Sequence, residues 1–227
     1  VEVIGRDAEL RHLVEFIDSG RSGLVLIVGE HRVGKRYVLI ALRERLQHRH
    51  TVLPAREDDE IESNYLTITG STSVAELQHV LAESMDDHHG DEVEGSRVLL
   101  VSGYQANAAA ARWLRTGKPF ETQDARSRSA APGDAPTPAR PSSSTVIVIA
   151  ALPDDVGKLL SVADHIEELA PLPADVVADE LRRATDGLAE PLSDAELERY
   201  VAGVIADASV LPSLKLVLAL DSSRETS

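Results

Sequence analysis

The chain has 227 residues, 43% of them hydrophobic, enough to bury a sizeable core and outside the range of disordered segments. Its 23 basic and 38 acidic side chains leave a formal charge of −15, which opposes phosphate backbones and argues against direct nucleic-acid binding by this segment. There is no cysteine to form a disulfide or a thiolate metal site, and no apolar run nears the ~20 residues that span a bilayer. The expected setting is a reducing cytoplasm, away from membranes.

The opening Val1-Glu2-Val3-Ile4-Gly5-Arg6 lacks the basic start and long apolar stretch of a signal peptide. With the polar tail at 221–227, it suggests a fragment of something longer. Asp7 to Asp18 has apolar residues at Leu10, Leu13, Val14 and Ile17, a helical spacing that stops at Gly20. Leu24 to Val28 is a continuous apolar run, as in a strand covered on both faces. A loop, Gly29 to Lys35, leads into a helix over Tyr37 to Gln47. Its apolar face is Val38, Leu39, Ala41, Leu42 and Leu46.

Strands follow at Tyr65 to Thr69, Val98 to Val101 and Thr145 to Ala150, with helices at Ser73 to Met85 and Ala106 to Leu114. The acidic run Glu57-Asp58-Asp59-Glu60 reads as a surface turn, and Asp86 to Asp91, with His88 and His89, as a solvated loop. The Pro-, Ser- and Ala-rich stretch 118–144 reads as a mobile insertion loop. Past Pro171 the pattern is purely helical: Ala174 to Thr185, Asp194 to Ala208 with Ser193 as N-cap, and Leu211 to Leu220. This order predicts an α/β domain over residues 1–170, with helices on both faces of a parallel sheet, then a small helical lid over 171–220.

Gly29-Glu30-His31-Arg32-Val33-Gly34-Lys35-Arg36 fits the phosphate-loop pattern G-x-x-x-x-G-K between a strand and a helix. Glycines let backbone N–H groups converge on phosphate oxygens, the helix adds its positive end, and the lysine reaches the terminal phosphates. The departure is Arg36, where a Ser or Thr hydroxyl would bind Mg²⁺. A guanidinium cannot ligate a cation but can pair with phosphate, so metal dependence is doubtful. No histidine pair has the spacing of a helical metal site, and no serine sits in a nucleophile elbow; no metal site is expected.

Ile4-Gly5-Arg6-Asp7-Ala8-Glu9-Leu10, taken with the strand and Gly29-Glu30 … Gly34-Lys35, resembles the opening of STAND-class, AAA+-related NTPase domains, as in large LuxR-type and related multidomain bacterial regulators. The resemblance implies a three-layer P-loop core with a helical lid, binding ATP or ADP. It makes Ile4, Gly5 and Arg6 candidates for the base pocket. Pro212, in Val210-Leu211-Pro212-Ser213-Leu214, becomes the lid residue that touches adenine. It also implies an acidic pair after the strand Val98 to Val101, one acid to hold hydrated Mg²⁺ and one to help activate water. Ser102 and Gly103 stand there instead, and Ala150-Ala151-Leu152 replaces the polar sensor expected after the next strand.

The resulting expectation is a regulatory module that binds nucleotide through Gly29, Val33, Gly34, Lys35 and Arg36 but hydrolyses it poorly or not at all. Signal, protein partners and output domains would lie outside the fragment. Two rivals are a nucleotide-free scaffold for protein contacts and an active ATPase using Glu30 or Asp154-Asp155 as substitute acids.

Overall fold

The chain is described here by a computed structural model over residues 5–53, 66–79, 95–115, 144–185, 192–210 and 214. Ile4, Pro212, residues 118–143 of the insertion expected over 118–144, all but Leu214 of the helix expected over 211–220, the loops at 57–60 and 86–91 and the tail at 221–227 lie outside the described residues.

The apolar run after Gly20 becomes β1 (Gly23–Gly29), every residue of which is buried. β1 pairs in parallel with β5 (Thr145–Ala151) on one side and β6 (His165–Leu169) on the other. β5 pairs with β4 (Arg97–Tyr104), whose far edge is shared by β2 (Thr51–Leu53) and β3 (Leu66–Ile68). The parallel order is therefore β2-β4-β5-β1-β6, with β3 continuing the edge that β2 begins. Only central strands read as unbroken apolar runs, because both their faces are covered.

Alternation along these strands sorts the core into two halves. Val25, Ile27, Val98, Leu100, Val146, Val148 and Ala150 meet α1 (Asp7–Asp18) and α2 (Lys35–Leu46) through Leu10, Leu13, Ile17, Val38, Leu39 and Leu42. Leu24, Leu26, Leu99, Val101, Ile147 and Ile149 face the other way. There they meet α3 (74–79), α4 (Ala108–Arg115) and α5 (Pro153–Val156) through Leu77, Trp113, Leu114 and Val156. Each fully buried Leu, Ile or Val contributes about 1.5–3 kcal/mol. The chain is thus a three-layer α/β structure around a parallel sheet.

Two buried polar residues fix the loops at opposite ends of the sheet. Asn107 uses all of its amide capacity: Nδ2 donates to the Thr69 and Thr72 carbonyls at 2.7 and 2.9 Å, and Oδ1 accepts from Ala109 and Ala110 N–H. It caps α4 while tying the β3–α3 loop to it. At the other end, His50 Nδ1 accepts from Ser96 N–H at 2.9 Å, and Nε2 meets Asp18 Oδ1 at 2.7 Å. A ring nitrogen that accepts an amide hydrogen leaves the other to donate, so His50 donates to the carboxylate. Burial raises the Asp18 pKa, but the hydrogen bonds from His50 and Arg49 outweigh it and hold the carboxyl below its ordinary value.

Beyond the sheet, α6 (Ala174–Ala184) and α7 (Asp194–Ala206) form their own cluster of Leu172, Val177, Leu181, Leu197 and Val204. Ser193 caps α7 with a capping box, its hydroxyl accepting from Glu196 N–H while the Glu196 carboxylate accepts from Ser193 N–H at 3.0 Å.

Candidate nucleotide site

In an open parallel sheet, ligands sit beyond the carboxyl ends of the strands, where neighbouring connections leave to opposite sides. Here β1 runs into the glycine loop while β4 and β5 end beside it. A cavity of about 580 Å³ opens there, between Gly34, Lys35, Arg36 and Tyr37 at the start of α2, Ser102 to Gln105 on β4, and Ala150 to Leu152 at the end of β5. The fold therefore brings together the three sequence landmarks, separated by more than a hundred residues.

The loop is held by its own backbone and by two distant partners. Gly34 adopts φ +96°, a left-handed conformation that a side chain rarely tolerates, and α2 starts at the next residue without a side-chain cap. A helix start leaves N–H groups for an anion, and this one faces the cavity. Val33 is buried in the α1–α2 side of the core, and its carbonyl accepts from Arg6 Nη2 at 3.2 Å. Arg6, 4% exposed, also donates to the Ala170 carbonyl and pairs with Glu9 at 2.9 Å. It clamps α1, the loop and the passage after β6 together. Gly5 lies under Leu172 and Val176, and neither Gly5 nor Arg6 lines the cavity.

Lys35 Nζ donates to the Gly29 and Glu30 carbonyls at 2.6 and 2.7 Å, so the ammonium rests across the mouth of the loop. Burial lowers its pKa, and the nearby Glu30 charge offsets part of that effect. Burial raises the Tyr104 phenol, its hydrogen bond with Asn107 opposes the rise, and the Asp155 carboxylate adds to it, so Tyr104 is no general base near neutral pH.

β4 extends through Tyr104, three residues past the expected strand, and so carries Ser102 and Gly103 to the cavity. The register against β3 shifts between Leu66↔Val101 and Thr67↔Gly103, leaving Ser102 without a partner on that strand. Of the substitute acids considered from sequence, Asp155 lines the cavity; Asp154 and Glu30 do not. Arg36 lines it too.

One contact had no signal in the sequence. Arg32 has φ +61°, unusual for a residue with a side chain, and its carbonyl accepts from Ala208 N–H at 3.0 Å. Its Nε lies 3.5 Å from Asp207 Oδ2. The segment after α7 is thereby fastened to the loop.

The side chains fit a phosphate chain better than a hydrated magnesium ion. Gly34, Lys35 and the start of α2 face the cavity, and Arg36 and Ser102, neither of them a carboxylate, line it as well. Among the described residues no group of three or more His, Asp or Glu is placed to hold a metal ion.

A glycine loop joining β1 to α2 at the carboxyl end of such a parallel sheet defines a P-loop NTPase domain, a nucleotide-binding class. The family model of the AAA ATPase domain matches residues 2–221, and the chain belongs to that family. No curated protein matches the sequence. A chain in the structure of the E. coli MS115-1 HORMA:CdnC:Trip13 complex is similar in shape, with 14% identity and a TM-score of 0.45, over 88% of this chain and 73% of that one. No helix among the described residues is long and apolar enough to cross a membrane.

Proposed function

We propose that this domain is a nucleotide-sensing regulatory module that binds ATP or ADP and hydrolyses it poorly or not at all. The observation that supports the reading is a contrast within one cavity: Gly34, Lys35 and Arg36 line it on the phosphate-loop side, while Ser102 and Gly103 line it where the resemblance expects catalytic acids. Gly29 and Gly34 shape the loop, Val33 anchors it, Lys35 contacts the terminal phosphates, and Arg36 supplies positive charge in place of the metal. Gly5, Arg6, Ile4 and Pro212 are proposed for the base end only on the resemblance to STAND-type regulators. Arg6 supports the site in a second way, by holding the loop.

Residues 171–220 act as the lid in this reading. The Ala208–Arg32 hydrogen bond and the Asp207–Arg32 pair give the lid a direct grip on the phosphate loop. An exposed ion pair is worth about 0–1 kcal/mol, so the backbone bond is the firmer of the two. Phosphate that repositions the loop alters this grip and shifts the lid, the differential contact that a ligand-driven switch requires. Partners and output segments outside these residues would read that shift, as in multidomain bacterial transcription regulators.

Calorimetric titration with ATP and ADP, in Mg²⁺ and again in EDTA, tests the reading. The expected result is binding of similar strength in both buffers. Binding only with Mg²⁺ would overturn the role given to Arg36. No binding in either would favour a nucleotide-free scaffold for protein contacts.

A further inference from the structure

The phosphate loop does not hold its shape by itself. Arg32 and Gly34 both take left-handed backbone, φ +61° and +96°, on either side of the buried Val33. Residues of that kind curl successive N–H groups into an anion-binding concavity. Glycine takes such a φ freely, whereas the Cβ of arginine disfavours it. Something outside the loop therefore keeps Arg32 there.

Two groups do so, and they come from the two roots of the α6–α7 unit. Ala208 N–H, just after α7, donates to the Arg32 carbonyl at 3.0 Å. Arg6 donates to the next carbonyl, that of Val33, at 3.2 Å, and also to the carbonyl of Ala170, just ahead of α6. In a planar trans peptide the N–H points opposite to the C=O. Holding the Arg32 and Val33 carbonyls from outside thus turns the Val33 and Gly34 N–H groups the other way, and that of Val33 meets the Glu30 carbonyl across the loop at 3.4 Å. The Ala208 side chain closes the contact, since a Cβ on Gly34 would lie 3.6 Å from its own. Ala208 does not line the cavity, so its effect on a bound phosphate passes through the loop.

We infer that Ala208 is a positioning residue of the phosphate loop: the docked lid holds Arg32 in the left-handed conformation that binds phosphate, and phosphate in turn holds the lid docked. The inference rests on the nucleotide-binding reading above and gives it a direction. Occupancy tightens the lid on the loop, and an undocked lid lets Arg32 relax and weakens the grip on phosphate.

The test is calorimetric titration with ADP in EDTA for the natural chain, Ala208→Pro, Arg32→Gly and the double variant. Proline suits this position except for the bond. Ala208 opens a single 3-10 turn, where the φ of proline fits, and Asp207 before it is extended (φ −148°, ψ 93°), outside the helical region that a following proline disfavours. The N–H is lost, and a ring carbon takes its place against the Arg32 carbonyl. Ala208→Pro should bind ADP about fivefold more weakly than the natural chain, the scale of one lost hydrogen bond. Arg32→Gly removes a cation and so binds more weakly on its own, but glycine holds a positive φ without help. In that background Ala208→Pro should cost less than about twofold, a non-additivity that a merely structural role would not give. A readout that needs no variant follows from reciprocity: at saturating ADP the Ala208 amide should exchange its hydrogen about fivefold more slowly. An equal loss in both backgrounds, no loss in the natural one, or an Ala208 exchange rate indifferent to ADP would overturn the inference and leave the nucleotide reading standing. A natural chain that binds no ADP would sink both.

Discussion

Replacing Lys35 by alanine is expected to weaken binding of both ATP and ADP about a hundredfold, the scale of losing charge-assisted hydrogen bonds to phosphate. The fold should hardly register the change. Lys35 donates to two carbonyls of its own loop, and burial already disfavours its charged form, so the lost bonds and the relieved desolvation oppose each other. The expected change in stability is within about 1 kcal/mol. Calorimetry with ADP and a urea titration on the same preparation separate the two effects. A Lys35→Ala protein that binds as the natural one does would remove the phosphate loop from the site.

The largest effect on folding is expected far from the cavity, at Gly95. A Cβ there would stand 1.8 Å from the Arg49 carbonyl oxygen and 2.7 Å from His50 Nδ1. The first is backbone and cannot swing aside. The second belongs to the ring that accepts the Ser96 N–H and reaches Asp18, so relief of the clash breaks the link between α1, α2 and β4. Gly95→Ala should cost about 3 kcal/mol or more, or prevent folding. Gly203, in α7, has nothing within 4 Å of its missing Cβ. Gly203→Ala should therefore stabilise by about 0.5–1 kcal/mol through helix propensity. Urea unfolding followed by fluorescence of the single tryptophan, the buried Trp113, reads both. Similar midpoints for the two variants would contradict this account of the loop at Gly95.

The sheet was largely legible in the sequence because its central strands are buried on both faces and so read as unbroken apolar runs, Leu24 to Val28 and Thr145 to Ala150 among them. The edge was not. β2 is three residues long, too short for any periodicity to register. β4 looks shorter in the sequence than it is because Ser102 and Gly103 are polar or small where the strand reaches the crevice, so the apolar signal ends before the hydrogen bonding does. The apolar pattern likewise begins two residues after the true start of α2, because Lys35 and Arg36 face the cavity rather than the core.

For the candidate site, the phosphate loop was readable because strand, glycines, lysine and helix are contiguous. The other contributors depend on distant parts of the chain. Nothing near Arg6 shows that its guanidinium will reach Val33 and Ala170, and nothing near Arg32 shows that Ala208 will donate to it. Asp154 and Asp155 looked equivalent as neighbours in sequence. The short helix α5 exposes the first and turns the second into the cavity.

The central claim is that this cavity grips nucleotide without cleaving it. Single-turnover incubation of excess protein with radiolabelled ATP and Mg²⁺, after binding has been verified by filter retention, addresses it most directly. The account predicts that the retained nucleotide stays ATP, with phosphate release no faster than in Lys35→Ala or in buffer. Phosphate released from bound ATP at a rate that Lys35→Ala abolishes would contradict it, and would mark Asp155 as the first acid to examine for catalysis.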